Sequence, residues 1–112
     1  MKYTESLKKN DDFRIVYRTG KSYANRYLVM YVKKNSSNIN RLGISVSKKV
    51  GNSVVRNRLT RLVRESYRLL EERIVIGFDI VVVLRKKAKN IKYSEMESAL
   101  LNLIRVHKLE RK

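Results

Sequence analysis

Five consecutive apolar residues, Ile80 to Leu84, constrain the fold of this chain more than any other feature of its sequence. A strand that is apolar on both faces is typical of the middle of a sheet that other layers cover on both sides. We therefore expect Phe78 to Arg85 to form a central strand with helices packed against it. The run is far too short for a membrane-spanning helix, which needs about 20 residues.

The residues before this central strand predict two or three further strands. Tyr27 to Lys33 is rich in aromatic and β-branched side chains, and a shorter strand is expected at Ser22 to Ala24. The polar stretch Lys34 to Asn40 predicts a turn. Residues 41 to 47 then alternate in polarity, which indicates a strand with two different faces. One face carries Leu42, Ile44 and Val46, and the other carries Gly43, Ser45 and Ser47. The second face leaves room for something to lie against the sheet, although the pattern alone favours an ordinary solvated face.

Three helices complete the predicted architecture. The first has Asn10 as its N-cap and Asp11 and Asp12 in its first turn, and it ends at Gly20. The second spans Val54 to Arg73. A third opens with a capping box at Ser94 to Glu97 and buries Met96, Ala99, Leu100 and Leu103. Lys108 to Lys112 is expected to be a fraying basic tail. The order helix, two or three strands, helix, strand, helix predicts an α+β or α/β sandwich in one domain, residues 1–112.

The charge balance points to a polyanionic partner. Lys and Arg number 27 against 10 Asp and Glu, so the net charge is +17 on a chain of 112 residues. Hydrophobic residues make up 43% of the chain, enough for a small core, which excludes a fully disordered basic tail. Nucleic acid and an acidic membrane surface are the two candidate partners.

Several catalytic classes are excluded by what the sequence lacks. There is no Cys and only one His, His107. The lack of Cys rules out thiolate zinc sites and a Cys nucleophile. With a single His, no Ser-His-Asp catalytic system can be placed in the sequence. The carboxylates are scattered, and the pairs Asp11-Asp12 and Glu71-Glu72 are typical of helix ends or solvated faces. We predict no catalytic residue, no metal ligand and no cofactor held by the protein, and, in the absence of a signal-peptide pattern, a cytoplasmic location.

The segment from Arg41 to Arg68 carries eight basic side chains and one acid, Glu65. On the predicted second helix one face is apolar, with Leu59, Leu62, Val63, Leu69 and Leu70. The opposite face carries Asn57, Arg61, Arg64 and Arg68, flanked by Arg56 and Arg58. A solvated amphipathic helix would show this periodicity too, but such faces usually mix charges of both signs. Arginine forks match phosphate bidentately, so we interpret this helix as a nucleic-acid contact.

Three aromatic residues form a second candidate site. Phe13 and Tyr17 share a face of the first helix, and Tyr31 lies on a predicted strand. Rings beside cations are what a single-stranded nucleic acid needs, because bases stack on the rings while the cations contact the backbone. The same spacing is equally typical of rings that close a core between helix and sheet. Both interpretations stay open at this point.

The run RLGISVSKKVGNSVVRNRLTRLVRE, Arg41 to Glu65, closely resembles the signature of the bacterial ribonuclease P protein components. Leu7-Lys8-Lys9-Asn10 with Asp12-Phe13, Gly20-Lys21-Ser22, Ala24-Asn25-Arg26 and Asp79-Ile80-Val81 add supporting matches along almost the whole chain. The departures are small: Ser53 stands where Ala is usual, Tyr17 where Phe is common, and Lys86-Lys87 where a Pro is frequent.

The resemblance implies the protein subunit of a ribonucleoprotein endonuclease that removes the 5′ leader of precursor tRNA. Catalysis would belong to the RNA subunit and its bound Mg²⁺. The implied fold is an α-β-β-β-α-β-α sandwich, like domain 2 of ribosomal protein S5, with a left-handed crossover between parallel strands. The alternative is a structural, ribosomal-protein-like RNA binder that does not recognise a leader. A protein-only nuclease would need a carboxylate cluster for metals, which the sequence lacks.

The resemblance also assigns residues to two surfaces. The surface for the RNA subunit would comprise Lys48, Lys49, Asn52, Arg56, Asn57, Arg58, Arg61, Arg64 and Arg68. The surface for the leader would lie between the first helix and the sheet, and would comprise Phe13, Arg14, Tyr17, Tyr31, Lys33, Ser47 and Arg85.

Overall fold

A five-stranded mixed sheet organises the chain, and helices pack against both of its faces. The computed structural model describes residues 1–112. In chain order the elements are β1 (Thr4–Ser6), α1 (Asn10–Thr19), β2 (Lys21–Ala24), β3 (Leu28–Lys34), β4 (Asn40–Ser45), α2 (Ser53–Leu70), β5 (Phe78–Leu84) and α3 (Tyr93–Val106). Short 3-10 turns lie at Glu71–Arg73 and Lys86–Ala88. The order of strands across the sheet is β1-β4-β5-β3-β2.

The apolar run occupies the centre of this sheet, as predicted. β5 pairs in parallel with β4 on one side and antiparallel with β3 on the other. Ile80, Val81 and Val82 are fully buried because both faces of β5 are covered. The α+β architecture is therefore confirmed. The parallel pair β4 and β5 is joined through α2, and the left hand of this crossover stays a prediction from the resemblance.

The two faces of the sheet carry two apolar cores of different size. The larger core, with 21 buried residues, lies between the sheet and the pair α2 and α3. The smaller one lies under α1 and contains Leu7, Val16 and Val81. Alternation along β3 produces this division, since Leu28, Met30 and Val32 are buried in the larger core and Tyr31 packs against the smaller. α1 alone covers its face, so part of that face remains open.

The space beside Gly43 of β4 is filled by another side chain of the protein. A Cβ atom added to Gly43 would lie 2.7 Å from Cε1 and Cζ of Phe13. The ring of Phe13 thus uses the space that the missing side chain leaves, and α1 comes close to the sheet there. The solvated-face interpretation is wrong for Gly43, which is buried.

β1 was not predicted, and the surrounding chain explains why it forms. Its three residues pair in parallel with residues 40–42 of β4. Glu71 holds the chain just before it: the carboxylate accepts hydrogen bonds from the backbone N–H of Lys2 at 3.0 Å and of Tyr3 at 3.2 Å. Glu71 does lie at a helix end, as the C-cap of α2, but the alternative of a solvated acid is wrong for it, because it is a buried acceptor for the N-terminal backbone.

The ends of two helices differ from the predicted caps. The N-cap of α1 is Lys9 rather than Asn10, and Gly20 follows the helix in an extended conformation with φ −79°. A glycine is needed there for space, since a Cβ would lie 2.5 Å from the carbonyl oxygen of Val16. The capping box of α3 begins two residues earlier than predicted, with Lys92 as the N-cap. The carboxylate of Glu95 accepts a hydrogen bond from the backbone N–H of Lys92 at 3.0 Å.

Helix α2 confirms its amphipathic pattern with two corrections. It ends at Leu70, where a 3-10 turn continues to Arg73. Leu69, which the periodicity placed on the apolar face, is 55% exposed. Tyr67 takes a core position instead, and its hydroxyl lies 3.0 Å from Oγ1 of Thr4. The predicted stripe of α3 is confirmed and extends to Ile104.

The C-terminal residues are ordered, contrary to the predicted fraying tail. Leu109 is buried, and its carbonyl accepts a hydrogen bond from the backbone N–H of Val75 at 2.8 Å. Glu110 pairs with both Arg73 and Arg105. The tail is thereby joined to the segment that follows α2. None of the helices is long and apolar enough to cross a membrane.

Candidate nucleic-acid interface

An open cleft of about 460 Å³ lies between α1 and the end of β4. One wall is the exposed side of α1, and the other is the last part of β4 with the residue that follows it. The residues lining it are Asn10, Phe13, Arg14, Tyr17, Ile44, Ser45 and Val46. The cleft exists because α1 covers only part of its face of the sheet and Gly43 draws the helix close at one end.

Two aromatic side chains, Phe13 and Tyr17, line this cleft, and Tyr31 packs against Tyr17. The rings of Tyr17 and Tyr31 meet edge to face, with centroids 4.9 Å apart and an interplanar angle of 75°. Phe13 lies 6.2 Å from Tyr17 between centroids. Core packing is confirmed for Phe13 and Tyr31, and contact of the rings with a nucleic acid stays a prediction. Phe13 and Tyr31 pack on the smaller core, whereas Tyr17 is 37% exposed and presents its ring to the cleft.

The other predicted leader contacts are distributed unevenly around the cleft. Arg14 lines it, and its side chain is largely exposed, 3.6 Å from Asp11. Ser47 is exposed just beyond the end of β4. Arg85 lies at the same end of the sheet and donates a hydrogen bond to the carbonyl of Asn25 at 2.6 Å. Lys33 lies apart from them, because it pairs in register with Asp79 at the opposite end of β5.

Helix α2 carries exposed polar and cationic side chains that have no bonding partner within the chain. Asn57, Arg61 and Arg64 are exposed, and none of them takes part in any of the chain's six ion pairs. Lys48 and Lys49 are exposed in the turn before the helix. These five side chains are free to meet an external anion without first breaking a contact within the protein.

Four other predicted RNA-binding residues differ from these five. Three of them bond to other groups of the protein, and the fourth has a buried side-chain nitrogen. Asn52 is the N-cap of α2, and its side chain accepts a hydrogen bond from the backbone N–H of Val55 at 3.0 Å. Arg58 donates from Nη2 to the carbonyl of Ile91 at 2.6 Å. Arg68 pairs with Glu65 at 2.5 Å, and this hydrogen bond holds the pKa of Glu65 below its usual value. The Nε of Arg56 is buried without any hydrogen-bond partner.

Metal-ligating side chains are not gathered anywhere in the chain. No group of three or more His, Asp or Glu residues lies close enough together to hold a metal ion. Sequence reasoning also missed residues of the cleft, namely Asn10, Ile44, Ser45 and Val46. The alternation of β4 carried a signal for Ser45, but the nearness of Asn10 and Val46 depends on how α1 crosses the sheet.

The fold and the two surfaces define a small basic α+β domain of the class that binds RNA. A family model described as Ribonuclease P matches residues 1–108. The chain belongs to the ribonuclease P protein family. Among curated relatives, the ribonuclease P protein component of Lachnoclostridium phytofermentans is 59% identical over 106 residues, covering 95% of this chain and 91% of the relative. The ribonuclease P protein component of Clostridium botulinum strain Langeland is 56% identical over 100 residues, covering 88% of this chain and 90% of the relative.

Solved structures agree with this assignment. The ribonuclease P protein of Staphylococcus aureus superimposes with a TM-score of 0.87 at 37% identity, covering 95% of this chain and 97% of that one. The ribonuclease P protein of Thermotoga maritima superimposes with a TM-score of 0.83 at 40% identity, covering 90% of this chain and 96% of that one. The chain thus acts as a protein component of ribonuclease P in tRNA 5′ processing, and the ribonuclease P RNA is its partner.

Proposed function

We propose that this chain, as one RNA-binding domain in the cytoplasm, holds the 5′ leader of precursor tRNA in its cleft and the ribonuclease P RNA on α2. The single observation that carries the proposal is the exposed ring of Tyr17 in an open cleft, on the opposite side of the sheet from α2. One protein face can then bind the RNA subunit while the other remains available to the substrate.

The cleft suits a single strand better than a duplex. Tyr17 offers a partly exposed ring on which a base can stack, and Arg14 beside it offers a charge for the phosphate. Stacking on an aromatic side chain contributes about 1–3 kcal/mol per base, regardless of which base it is. Ser45 and Asn10 add neutral hydrogen-bonding groups within the same cleft. We assign Ser47 and Arg85 to its margin, and Lys33 to a more distant contact with the leader.

The exposed face of α2 suits the phosphates of a folded RNA. Arg61 and Arg64 are one helical turn apart and extend outward without internal partners. Each guanidinium can donate two parallel hydrogen bonds to one phosphate. Asn57 contributes a donor and an acceptor for a sugar hydroxyl or a base edge. Lys48, Lys49 and Arg56 extend this surface to the start of the helix, and Arg68 lies at its far end.

Chemistry at the scissile phosphate belongs, in this proposal, to the RNA subunit and the Mg²⁺ ions bound to it. The protein contributes charge and leader contacts. Both raise the affinity for the precursor and lower the concentration of Mg²⁺ that the RNA needs, because protein cations replace part of the counterion atmosphere.

Leader recognition can be tested by comparing two tRNAs that differ only at the 5′ end. The complex of this chain with a ribonuclease P RNA is titrated with precursor tRNA and with mature tRNA, and the RNA alone is titrated in parallel. We expect the protein to tighten precursor binding about 5- to 150-fold more than mature tRNA binding, which corresponds to the 1–3 kcal/mol of one stacked base. Equal tightening of both RNAs would instead support the structural RNA binder that lacks leader recognition.

A further inference from the structure

The loop between β5 and α3 concentrates positive charge in a way that the two surfaces above do not use. Residues 86–92 contain four lysines and no acid. All four side chains are exposed, and none of them takes part in an ion pair within the chain. The four are Lys86, Lys87, Lys89 and Lys92.

This loop is firmly attached to the fold despite its charge. Ala88 is fully buried and Ile91 is 2% exposed, so both of its apolar side chains are anchored in the larger core. Backbone hydrogen bonds join Ala88 to Arg85 at 2.9 Å and Ile91 to Ala88 at 3.0 Å. The lysines therefore project from an ordered backbone, and a partner that binds them does not have to order the loop first.

Arg58 connects the loop to helix α2. Its Nη2 donates to the carbonyl of Ile91 at 2.6 Å, across 33 positions of sequence. α2 also packs against α3, the helix that follows the loop. The cations of the loop and the exposed cations of α2 consequently lie on adjoining elements, with Arg58 between them.

We propose that residues 86–92 form a phosphate-binding extension of the α2 surface that contacts the ribonuclease P RNA, and that Arg58 positions it. The inference rests on the proposed function of α2 and names a further contact for the same partner. Ammonium groups on flexible stems follow phosphates whatever the base sequence. Arg58 is a positioning residue here, since its guanidinium is committed to a carbonyl of the protein.

The chemistry of the loop favours nucleic acid over a membrane surface. A segment that binds an acidic membrane normally combines cations with exposed apolar side chains that enter the interface. Ala88 and Ile91 are the loop's apolar residues, and both are buried. The loop thus offers charge without an apolar anchor, which is what a hydrated phosphate backbone needs.

A charge-matched pair of variants tests the contact. In the loop variant, Lys86, Lys87, Lys89 and Lys92 are changed to Gln. In the control variant, four other exposed lysines, Lys2, Lys21, Lys34 and Lys112, are changed to Gln, so that both proteins lose the same charge. The dissociation constant for the ribonuclease P RNA is measured over a range of salt concentrations. The free energy of unfolding of both variants is measured alongside, to show that exposed substitutions leave the fold intact.

The slope of the logarithm of the association constant, log K, against the logarithm of the salt concentration decides the outcome. Each lost phosphate contact lowers its magnitude by about 0.7–0.9. We expect the loop variant to lose at least twice that amount and the control variant to keep the wild-type slope. Equal slopes for the two variants overturn the inference, and so does a loop variant that weakens only precursor tRNA binding by the assembled complex. Failure of the wild-type chain to bind the RNA at all would count against the proposed function itself.

The role of Arg58 is tested by a double-mutant cycle. Arg58→Met is introduced into the wild-type chain and into the loop variant, and the loss of RNA affinity is compared. If Arg58 acts by holding the loop, the substitution costs much less affinity once the four lysines are gone. An equal loss in both backgrounds shows that Arg58 contacts the RNA itself, and overturns its positioning role.

Discussion

Arg41 and Asp79 form a bidentate ion pair across the neighbouring parallel strands β4 and β5. Nη2 lies 2.6 Å from Oδ2, and Nε lies 2.8 Å from Oδ1. The same guanidinium reaches Asp12 of α1 at 3.4 Å, and Asn35 donates to the Asp79 carboxylate at 3.0 Å. This network joins the helix to the sheet at one end of the face that carries the cleft. Arg41 thereby contributes to the shape of the cleft without lining it.

The ion pair makes the free energy of unfolding depend on pH in the acidic range. Burial of Asp79 opposes its ionisation, but the hydrogen bonds from Arg41 and Asn35 outweigh burial and leave its pKa below the ordinary value. The charged carboxylate is therefore favoured in the folded state. The resulting stabilisation is complete above the unfolded pKa of about 4 and is lost as the pH falls through the lower folded pKa.

We expect Asp79→Asn to lower the free energy of unfolding by about 1.5–3 kcal/mol near neutral pH, the range for hydrogen bonds to charged groups. Denaturant titrations in sulfate, which screens the net charge, provide the measurement. Below about pH 4 the difference between the wild type and the variant should shrink. A difference that stays constant from neutral pH to about pH 2 would show that the charge of Asp79 is not its cause.

The rings of the cleft should separate into a binding residue and a packing residue. Tyr17→Ala should weaken the binding of precursor tRNA by the assembled complex by about 1–3 kcal/mol, because a stacking surface is lost, with mature tRNA affected little. Tyr17→Phe retains the ring and should retain the affinity. Phe13→Ala should mainly reduce stability, since its ring fills the space beside Gly43. Loss of mature tRNA binding equal to that of precursor in Tyr17→Ala would contradict the leader contact.

The free arginines of α2 should dominate docking on the ribonuclease P RNA. Arg61→Gln and Arg64→Gln should each lower the slope of log K against log salt by about 0.7–0.9. Arg105→Gln is the matched control, because Arg105 is exposed but pairs with Glu110 at 2.9 Å. A control that changes the slope as much as the α2 variants would mean that net charge alone, and not this surface, governs binding.

Glu71 should prove more important for stability than its neighbour Glu72. Glu71→Ala removes the acceptor for the backbone N–H groups of Lys2 and Tyr3. We expect a loss of about 1–3 kcal/mol in the free energy of unfolding. Hydrogen exchange at the amides of Lys2 and Tyr3 should accelerate. Glu72→Ala, at an exposed position, should change neither quantity. Unchanged exchange in Glu71→Ala would show that pairing with β4 alone holds the N-terminal segment.

Elements with a strong local pattern could be predicted from the sequence, and elements held by distant partners could not. The apolar run of β5 and the periodicity of α2 are local and were confirmed. β1 has no such pattern, because it is held by pairing with β4 and by Glu71, about 70 positions away. The C-terminal tail is ordered for the same kind of reason, through Val75 and Glu110.

The candidate site shows the same division. The arginine spacing on α2 indicated which side chains are exposed, as Arg61 and Arg64 are. It could not show that Arg58 is bound to a carbonyl 33 positions away or that Arg68 pairs with Glu65 at 2.5 Å. Nor could spacing decide whether Phe13 and Tyr17 face a core or a cleft, since that depends on how closely α1 approaches Gly43.

Reconstituted cleavage tests the division of labour between protein and RNA most directly. A 5′-labelled precursor tRNA is incubated at low Mg²⁺ with this chain alone, with a bacterial ribonuclease P RNA alone, and with both together. We expect cleavage at the mature 5′ end only in the mixture, because the protein supplies binding and the RNA supplies the chemistry. Cleavage by the chain alone, or a mixture no more active than the RNA, would contradict the proposed role.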